Sequence, residues 1–298
     1  TRSGMRSRTV HKHNNTGSTS AMTSLPIGFS TGCFYYKSIF ECLDIVRDRG
    51  FQSIEICSFP DHLDFHDTEA VAAAADAVRN AGLEPVSLHA PFSEDIDFAS
   101  SDTSVREHSF SETRRAVHAA GELGVNFCVL HPGSDEPFPD KGTHLECMQR
   151  TRDMMGRIAD TFREQSVRIL LENMLPHLRF GNPEDMLWIM GALGNSNIGV
   201  CLDTGHAALS GSLAAAVYTY APYTALVHIN DNNGEHDDHL PPEKGNIDWQ
   251  AFLSVLNKTE FRGHLILELA GDPERDPAEI MNEAAEARSG LNGIMEGM

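Results

Sequence analysis

The chain has 298 residues, of which 41% are hydrophobic and 22% are charged, a composition typical of a globular protein with a sizeable core. No apolar run reaches the roughly 18 residues that a membrane span requires, so no membrane partner is expected. With 23 basic against 43 acidic side chains, the formal net charge is −20. That charge disfavours nucleic acid as a partner, although a bound metal ion or a local basic patch can reverse the local field.

Six cysteines are present, and no two of them form a Cys-x-x-Cys pair. Cys57, Cys128 and Cys201 lie inside apolar, strand-like runs. Buried thiols of this kind are typical of proteins from reducing compartments. We therefore expect free cysteines and a cytoplasmic protein.

The first 23 residues differ in composition from the rest of the chain. They contain four basic residues, no acidic residue and many serines, threonines and asparagines. A segment of this kind lacks the apolar surface needed to form a core, so residues 1–23 are predicted to be a disordered tail in which His11 and His13 have no role. Residues 24–298 are predicted to form one domain.

From residue 26 onward, short β-rich runs alternate with longer helical patterns. The predicted strands cover residues 27–30, 53–57, 86–89, 127–131, 168–172, 198–203, 225–229 and 264–269. The predicted helices cover residues 38–49, 68–81, 104–123, 143–164, 183–193, 212–220, 248–257 and 277–289. Eight successive βα units are the number that closes a parallel barrel, so the sequence predicts an α/β protein with a single (β/α)8 TIM barrel.

Six consecutive predicted strands end on a histidine or a carboxylate: His89, His131, Glu172, Asp203, His228 and Glu268. Three further candidate ligands follow in loops at the same end of the strands: His206, Asp237 and His239. Active sites of β/α barrels lie at the carboxyl ends of the strands, and imidazole with carboxylate suits Zn, Mn, Co or Fe(II) better than Mg. The pattern predicts a divalent-metal site, with Gly205 providing a tight turn that directs Asp203 and His206 into one cavity.

The motifs HAPF, HPG, ENM, DTGH, HIND, DDH and LEL occur in this order along the chain. Together they resemble the xylose isomerase-like TIM-barrel superfamily, which includes sugar and sugar phosphate isomerases and epimerases and the endonuclease IV family. The resemblance covers about residues 26–270. It implies a barrel enzyme that depends on divalent metal.

The two branches of this superfamily imply different metal contents. In the isomerase and epimerase branch, one divalent ion is held by four residues, which correspond here to Glu172, Asp203, His228 and Glu268. In the endonuclease branch three zinc ions are bound, one by the same four residues. The second zinc would bind His89, His131 and a bridging Glu172, and the third would bind His206, Asp237 and His239. Every position is filled, so the ligand set permits either chemistry.

The segments around the ligands favour the sugar branch. After Glu172 the chain reads NMLPHLRFGNPEDM, where endonuclease IV has a small, glycine-containing stretch, and HDDHLPPEKGNIDW also resembles the sugar relatives. We therefore predict an isomerase or epimerase that uses one Mn, Zn or Co ion and acts on a small sugar or sugar phosphate. The alternatives are an endonuclease IV-like trinuclear zinc phosphodiesterase acting on abasic-site DNA, a sugar or polyol dehydratase, and a barrel that binds without turnover.

Under the leading hypothesis, the metal polarises a sugar carbonyl and stabilises an enediolate. Glu172 and Glu268 are predicted to remove and return the proton as general base and acid. His206 is a further catalytic candidate, which either hydrogen-bonds the sugar or supports Asp203. Three residues are candidates for substrate binding: His89, His131 and the loop cation Lys244. The chain is also a candidate for homo-oligomerisation.

Other residues receive supporting or structural roles. Asn173, Asn230 and Asp231 directly follow ligands and are predicted to support them by hydrogen bonds. Glu55 either faces the cavity or lies at the barrel rim, and Trp249 is predicted to pack against helices. Three histidines are predicted to lie on the surface: His62, His66 and His144.

Overall fold

The computed structural model describes residues 24–93, 95–134, 137, 143–194 and 197–298. Its strands are β1 Ile27–Ser30, β2 Ser53–Cys57, β3 Glu84–His89, β4 Phe127–Leu130, β5 Arg168–Glu172, β6 Ile198–Asp203, β7 Thr224–Ile229 and β8 His264–Leu267. Each strand pairs in parallel with the next, and β1 pairs with β8 to close the barrel. The predicted (β/α)8 barrel is confirmed, whereas the predicted disordered tail, residues 1–23, lies outside the described residues.

The helices are α1 Ile39–Asp48, α2 Thr68–Asn80, α3 Thr103–Leu123, α4 His144–Thr161, α5 Pro183–Leu193, α6 Thr204–Leu209, α7 Leu213–Tyr220, α8 Trp249–Lys258 and α9 Pro277–Glu296. A short 3-10 helix, Thr31–Phe34, follows β1. Several helices begin at a side chain that accepts a hydrogen bond from the first turn, as Asp67 does for α2 and Asp276 does for α9. Such capping explains why these helices begin where they do.

The largest differences from the predicted helices are at α9 and α6. Helix α9 continues to Glu296 instead of ending at residue 289, because Ala287, Leu291 and Met295 keep one buried face at a spacing of four residues. Helix α6 was not predicted, since a six-residue segment is too short to show helical periodicity. Gly50, Gly82 and Gly124 have φ angles of 78°, 72° and 76°, the left-handed backbone expected where the chain turns back toward a strand.

The buried side chains form two apolar layers. The larger layer fills the space between strands and helices. The smaller consists of Val86, Val129, Leu170, Cys201, Leu226 and Ile266, one from each of β3 to β8. Five of these six stand two residues before a candidate ligand, and alternate residues of a strand share a face. The ligands therefore point into the barrel, above an apolar floor.

All six cysteines are buried and free, as predicted, and burial raises the pKa of Cys128 and Cys201. Within the described ranges, none of the helices combines the length and the apolar character needed to cross a membrane.

Candidate metal centre

The nine predicted ligands meet at the carboxyl ends of the strands in three groups. Within each group, one possible donor atom per residue lies within 4.8 Å of all the others. The groups are His89, His131 and Glu172; then Glu172, Asp203, His228 and Glu268; and finally His206, Asp237 and His239. The structure thus brings together all the candidate ligands that the strand endings and the following loops suggested.

Glu172 joins the first two groups through different oxygen atoms. Its Oε2 lies 3.2 Å from His89 Nε2 and 3.5 Å from His131 Nε2. Its Oε1 lies 3.2 Å from His228 Nδ1. A carboxylate oriented in this way can bridge two neighbouring ions. It can also bind one ion through one oxygen while its other oxygen accepts hydrogen bonds.

Asp203 is positioned by the start of α6. Its Oδ1 accepts a hydrogen bond from the backbone N–H of His206 at 2.7 Å, as an N-cap residue does. Its Oδ2 accepts from Asn230 Nδ2 at 2.6 Å, and Asn173 bonds both backbone groups of Asp203. These contacts agree with the predicted supporting roles of Asn173 and Asn230.

Backbone carbonyls orient both histidines of the third group. His206 Nδ1 lies 2.7 Å from the carbonyl oxygen of Asn173, and His239 Nδ1 lies 3.1 Å from that of Glu268. Because a carbonyl only accepts, each Nδ1 carries hydrogen and each Nε2 faces Asp237 Oδ2, at 3.2 and 3.1 Å. Backbone hydrogen bonds of this type orient metal-binding imidazoles.

The tight turn predicted at Gly205 is wrong, because helix α6 begins directly after Asp203. The glycine has a different purpose. A Cβ atom on Gly205 would lie 2.0 Å from Asn230 Oδ1, the amide that holds Asp203 through its Nδ2. Only the absence of a side chain lets α6 approach this amide so closely.

A Gly205→Ala substitution is therefore expected to displace Asn230 and to loosen Asp203. We expect a loss of about 1–3 kcal/mol in unfolding free energy, the usual cost of overpacking, together with weaker divalent-metal binding. Urea denaturation and a metal titration measure the two effects. Gly191→Ala on α5 is the control, since a Cβ there has nothing within 4 Å. Equal metal affinity in the two variants would contradict the role given to Gly205.

Three of the other assignments need comment. His62 is not at the surface but only 2% exposed, because its ring nitrogens bond Lys37 O at 2.7 Å and Thr31 Oγ1 at 2.8 Å. Asp231 accepts hydrogen bonds from the loop backbone and from Trp249 Nε1 at 2.9 Å. Asp231 therefore orders the loop that carries two ligands, and Trp249 is buried as expected.

The sequence did not decide whether Glu55 faces the cavity or lies at the barrel rim. It is completely buried, and its Oε2 lies 3.0 Å from His228 Nε2, on the side of the ring away from the ligand carboxylates. The alternation in the strand sequence SIEIC was the available signal, because it places Glu55 on the same face as Ser53 and Cys57.

The pKa values reflect burial opposed by opposite charges. For His228, burial lowers the pKa, but surrounding anionic groups, including Glu55 and Glu268, raise it well above the usual value. His239 behaves similarly, and its hydrogen bond to Asp237 raises the pKa to about 10. Burial would raise the pKa of Glu268, yet the charge of His228 lowers it to about 2. Asp203 is the exception, because burial raises its pKa to about 6.

These residues fit a divalent cation on two counts. Four carboxylates and five imidazoles form a donor set suited to Zn, Mn or Co. In addition, Asp237 Oδ1 is buried without a hydrogen-bond partner among the described residues. Buried carboxylate oxygens rarely lack a partner, and a bound ion would provide one.

Metal uptake is expected to release protons, because imidazole binds metal only after losing a proton from the donor nitrogen. In the metal-free protein the pKa values of His206, His228 and His239 are raised, so these groups hold protons near neutral pH. Affinity should therefore rise from about pH 6 to about pH 8, as proton competition weakens. Calorimetric cobalt titrations in buffers of different ionisation enthalpy count the released protons; pH-independent affinity would contradict this expectation.

A cavity of about 400 Å³ opens above the centre. It is lined by candidate ligands from all three groups and by Phe92, Met174, Leu175, His177 and Leu178. Its volume falls in the range of small-molecule sites. Lys244 lines a different cavity of about 250 Å³, which shares only His239 with the first. Larger grooves along the outer helices contain none of the ligands.

The closed parallel barrel brings these carboxylates and imidazoles together at its carboxyl-terminal mouth, which is where β/α barrels have their functional sites. The sequence pattern of the family described as "Xylose isomerase-like TIM barrel" matches residues 43–292. The chain belongs to this family.

The similar proteins differ in the activity that their names state. An uncharacterised protein of Methanocaldococcus jannaschii is 28% identical over 253 residues, which cover 82% of this chain and 83% of the relative. A probable endonuclease 4 of Acholeplasma laidlawii is 28% identical over 200 residues, covering 60% and 65%. The crystal structure of a D-tagatose 3-epimerase-like protein has a TM-score of 0.80 at 24% identity, covering 91% and 97%. That of a D-psicose 3-epimerase has a TM-score of 0.77 at 16% identity, covering 92% and 100%.

Proposed function

We propose that the protein is a divalent-metal-dependent isomerase or epimerase of a small sugar or sugar phosphate. The observation that carries this proposal is the position of two glutamates around one imidazole nitrogen. Glu172 Oε1 and Glu268 Oε2 lie 3.2 and 3.1 Å from His228 Nδ1. They reach this point from β5 and from the end of β8, so both carboxylates border one position on the floor of the 400 Å³ cavity.

In this proposal Glu172, Asp203, His228 and Glu268 would hold the ion, which would supply a Lewis acid to polarise the carbonyl of a hydroxy-ketone or hydroxy-aldehyde. One glutamate removes a proton from the neighbouring carbon, and the other returns a proton on the opposite face. Glu268 is a candidate for the base because its carboxylate lines the cavity beside the candidate metal group. Epimerisation follows if the proton returns to the same carbon, and isomerisation if it returns to the adjacent one.

The remaining groups restrict how the sugar is bound. His206 uses Nδ1 for a backbone carbonyl, so only its Nε2 is available to a ligand. Phe92 stacks on His131 with ring centroids 4.7 Å apart, which gives the cavity an apolar wall next to the first metal group. We propose that the sugar's oxygens face the metal side of the cavity and that its C–H groups face this wall. The names of the two epimerase structures support this substrate class.

A second candidate function is phosphodiester hydrolysis at a multinuclear zinc centre. Two observations favour it: the three complete donor groups and the similarity to probable endonuclease 4 proteins. Its substrate would be abasic-site DNA. The net charge of −20 opposes the approach of a polyanion, which is why we place this function second.

Metal content and substrate conversion together separate the two functions. Purified protein is analysed for bound metal, then incubated in D₂O with Mn²⁺ and free or phosphorylated ketoses, and separately with Zn²⁺ and an oligonucleotide containing one abasic site. The proposal predicts one ion per chain and a deuterium-labelled epimer or isomer. Three zinc ions with strand cleavage and no ketose conversion would overturn it, and a product that has lost water would identify a dehydratase.

A further inference from the structure

One buried carboxylate at the site is used by neither proposed function. Glu55, in the middle of β2, is completely buried. Three groups surround its oxygens: Ser30 Oγ donates to Oε1 at 3.0 Å, Ser87 Oγ donates to Oε2 at 2.7 Å, and His228 Nε2 lies 3.0 Å from Oε2. Burial of a carboxylate is costly unless hydrogen bonds and an opposite charge compensate it, and here both kinds of compensation are present.

The contact with Glu55 requires that Nε2 of His228 carries a hydrogen, so Nδ1 is the nitrogen that can lose its proton and bind an ion. Both serine hydroxyls already donate to Glu55, so the carboxylate acts as an acceptor and His228 donates from Nε2. The opposite nitrogen, Nδ1, then points between Glu172 Oε1 and Glu268 Oε2. A ring held in this way presents Nδ1 to the interior of the four-residue metal group and cannot rotate without breaking a buried hydrogen bond.

We infer that Glu55 is a positioning residue of the metal centre, which fixes the ring orientation and tautomer of His228 so that Nδ1 binds the ion. Ser30 and Ser87 hold the Glu55 carboxylate in turn. A carboxylate behind a metal-binding histidine orients the ring and increases its basicity. The inference rests on metal binding at the four-residue group of the proposed function, but not on the identity of the reaction.

The test uses the whole chain and cobalt. Co²⁺ affinity is measured by competition with a chromophoric chelator for the wild type, Glu55→Gln and Glu55→Ala. Loss of a supporting partner of this kind weakens metal binding by about 10- to 100-fold, and we expect values in this range, with alanine worse than glutamine. Glutamine retains the volume and one acceptor, so it tests the inference even if the alanine variant fails to fold.

A spectroscopic measurement separates positioning from general stability. In the cobalt-loaded wild type, the buried Nε2 proton of His228 should give a hyperfine-shifted, slowly exchanging NMR resonance, which the Glu55 variants should lose. Glu84→Gln is the matched control, because Glu84 Oε2 also contacts a histidine, His264 Nε2 at 3.6 Å, but at the starts of β3 and β8. This control should bind cobalt as the wild type does and keep the resonance.

The outcomes are distinguishable. If Glu55→Gln binds cobalt within about twofold of the wild type and keeps the shifted resonance, the inference is wrong. If the wild type binds no cobalt at the four-residue group, both the inference and the proposed metal-dependent function fail. If the variants lose affinity while the wild type converts no sugar, the inference holds and only the proposed reaction is overturned.

Discussion

Replacing Glu268 with glutamine is expected to lower the turnover number by about 100- to 10,000-fold, the range of a lost general acid or base. Glutamine has nearly the same shape, but it cannot take up a proton from the substrate carbon. The side chain follows the last residue of β8, with Oε2 3.1 Å from His228 Nδ1, so the stability of the variant is measured together with its turnover. Deuterium incorporation from D₂O into the converted ketose, with Mn²⁺ at saturation, measures the lost step directly.

The control for this variant is Glu283→Gln. Glu283 lines the neighbouring cavity and pairs with Arg275 at 2.8 Å, outside the metal groups. It should retain the wild-type rate. Circular dichroism and a thermal melt verify that the Glu268 variant remains folded. A folded, metal-loaded Glu268→Gln protein with a near-normal exchange rate would eliminate the two-glutamate mechanism.

The second large effect is expected at Glu172, because this carboxylate contacts His89, His131 and His228. Glu172→Gln removes the negative charge shared by the first two metal groups. In the metal-free protein, breaking a buried ion pair costs about 3–5 kcal/mol, and a loss of that size in unfolding free energy is expected. Removing a direct ligand should also weaken divalent-metal binding by more than the roughly 100-fold upper limit for a supporting group.

Urea denaturation in the presence of EDTA measures the stability of this variant, and a cobalt competition titration measures its affinity. Asp185→Asn serves as the control, since Asp185 is also buried and its Oδ1 lies 2.9 Å from His144 Nε2. It lies on α5, outside the barrel. The control should leave metal affinity unchanged. Cobalt affinity that stays near wild type in Glu172→Gln would contradict the central position given to this carboxylate.

The barrel and the convergence of the candidate ligands at its mouth were predictable because both depend on local pattern. Apolar runs that alternate with helical segments identify the strands, and the last residue of a strand faces the mouth wherever the preceding alternation puts it inside. Leu170 and Glu172 illustrate this, as do Leu226 and His228: in each pair the apolar residue lies in the barrel floor and the ligand above it.

The residues that were misplaced depend on contacts between distant segments. His62 lies in no strand, and its burial results from hydrogen bonds to Lys37 and Thr31, which no local pattern reveals. Lys244 was the nearest loop cation in sequence, but the loop ordered by Asp231 directs it to an adjacent cavity. The partnership of Glu55 with His228 joins β2 to β7, two strands that are not neighbours in the barrel.

Diffraction data from crystals soaked in Mn²⁺, collected with anomalous signal, test the central claim most directly. The claim is that Glu172, Asp203, His228 and Glu268 hold a divalent ion at the floor of the cavity. It predicts an anomalous peak bounded by these four side chains, with His228 Nδ1 facing the ion. A peak confined to His206, Asp237 and His239, or no peak in the barrel mouth, would contradict the claim.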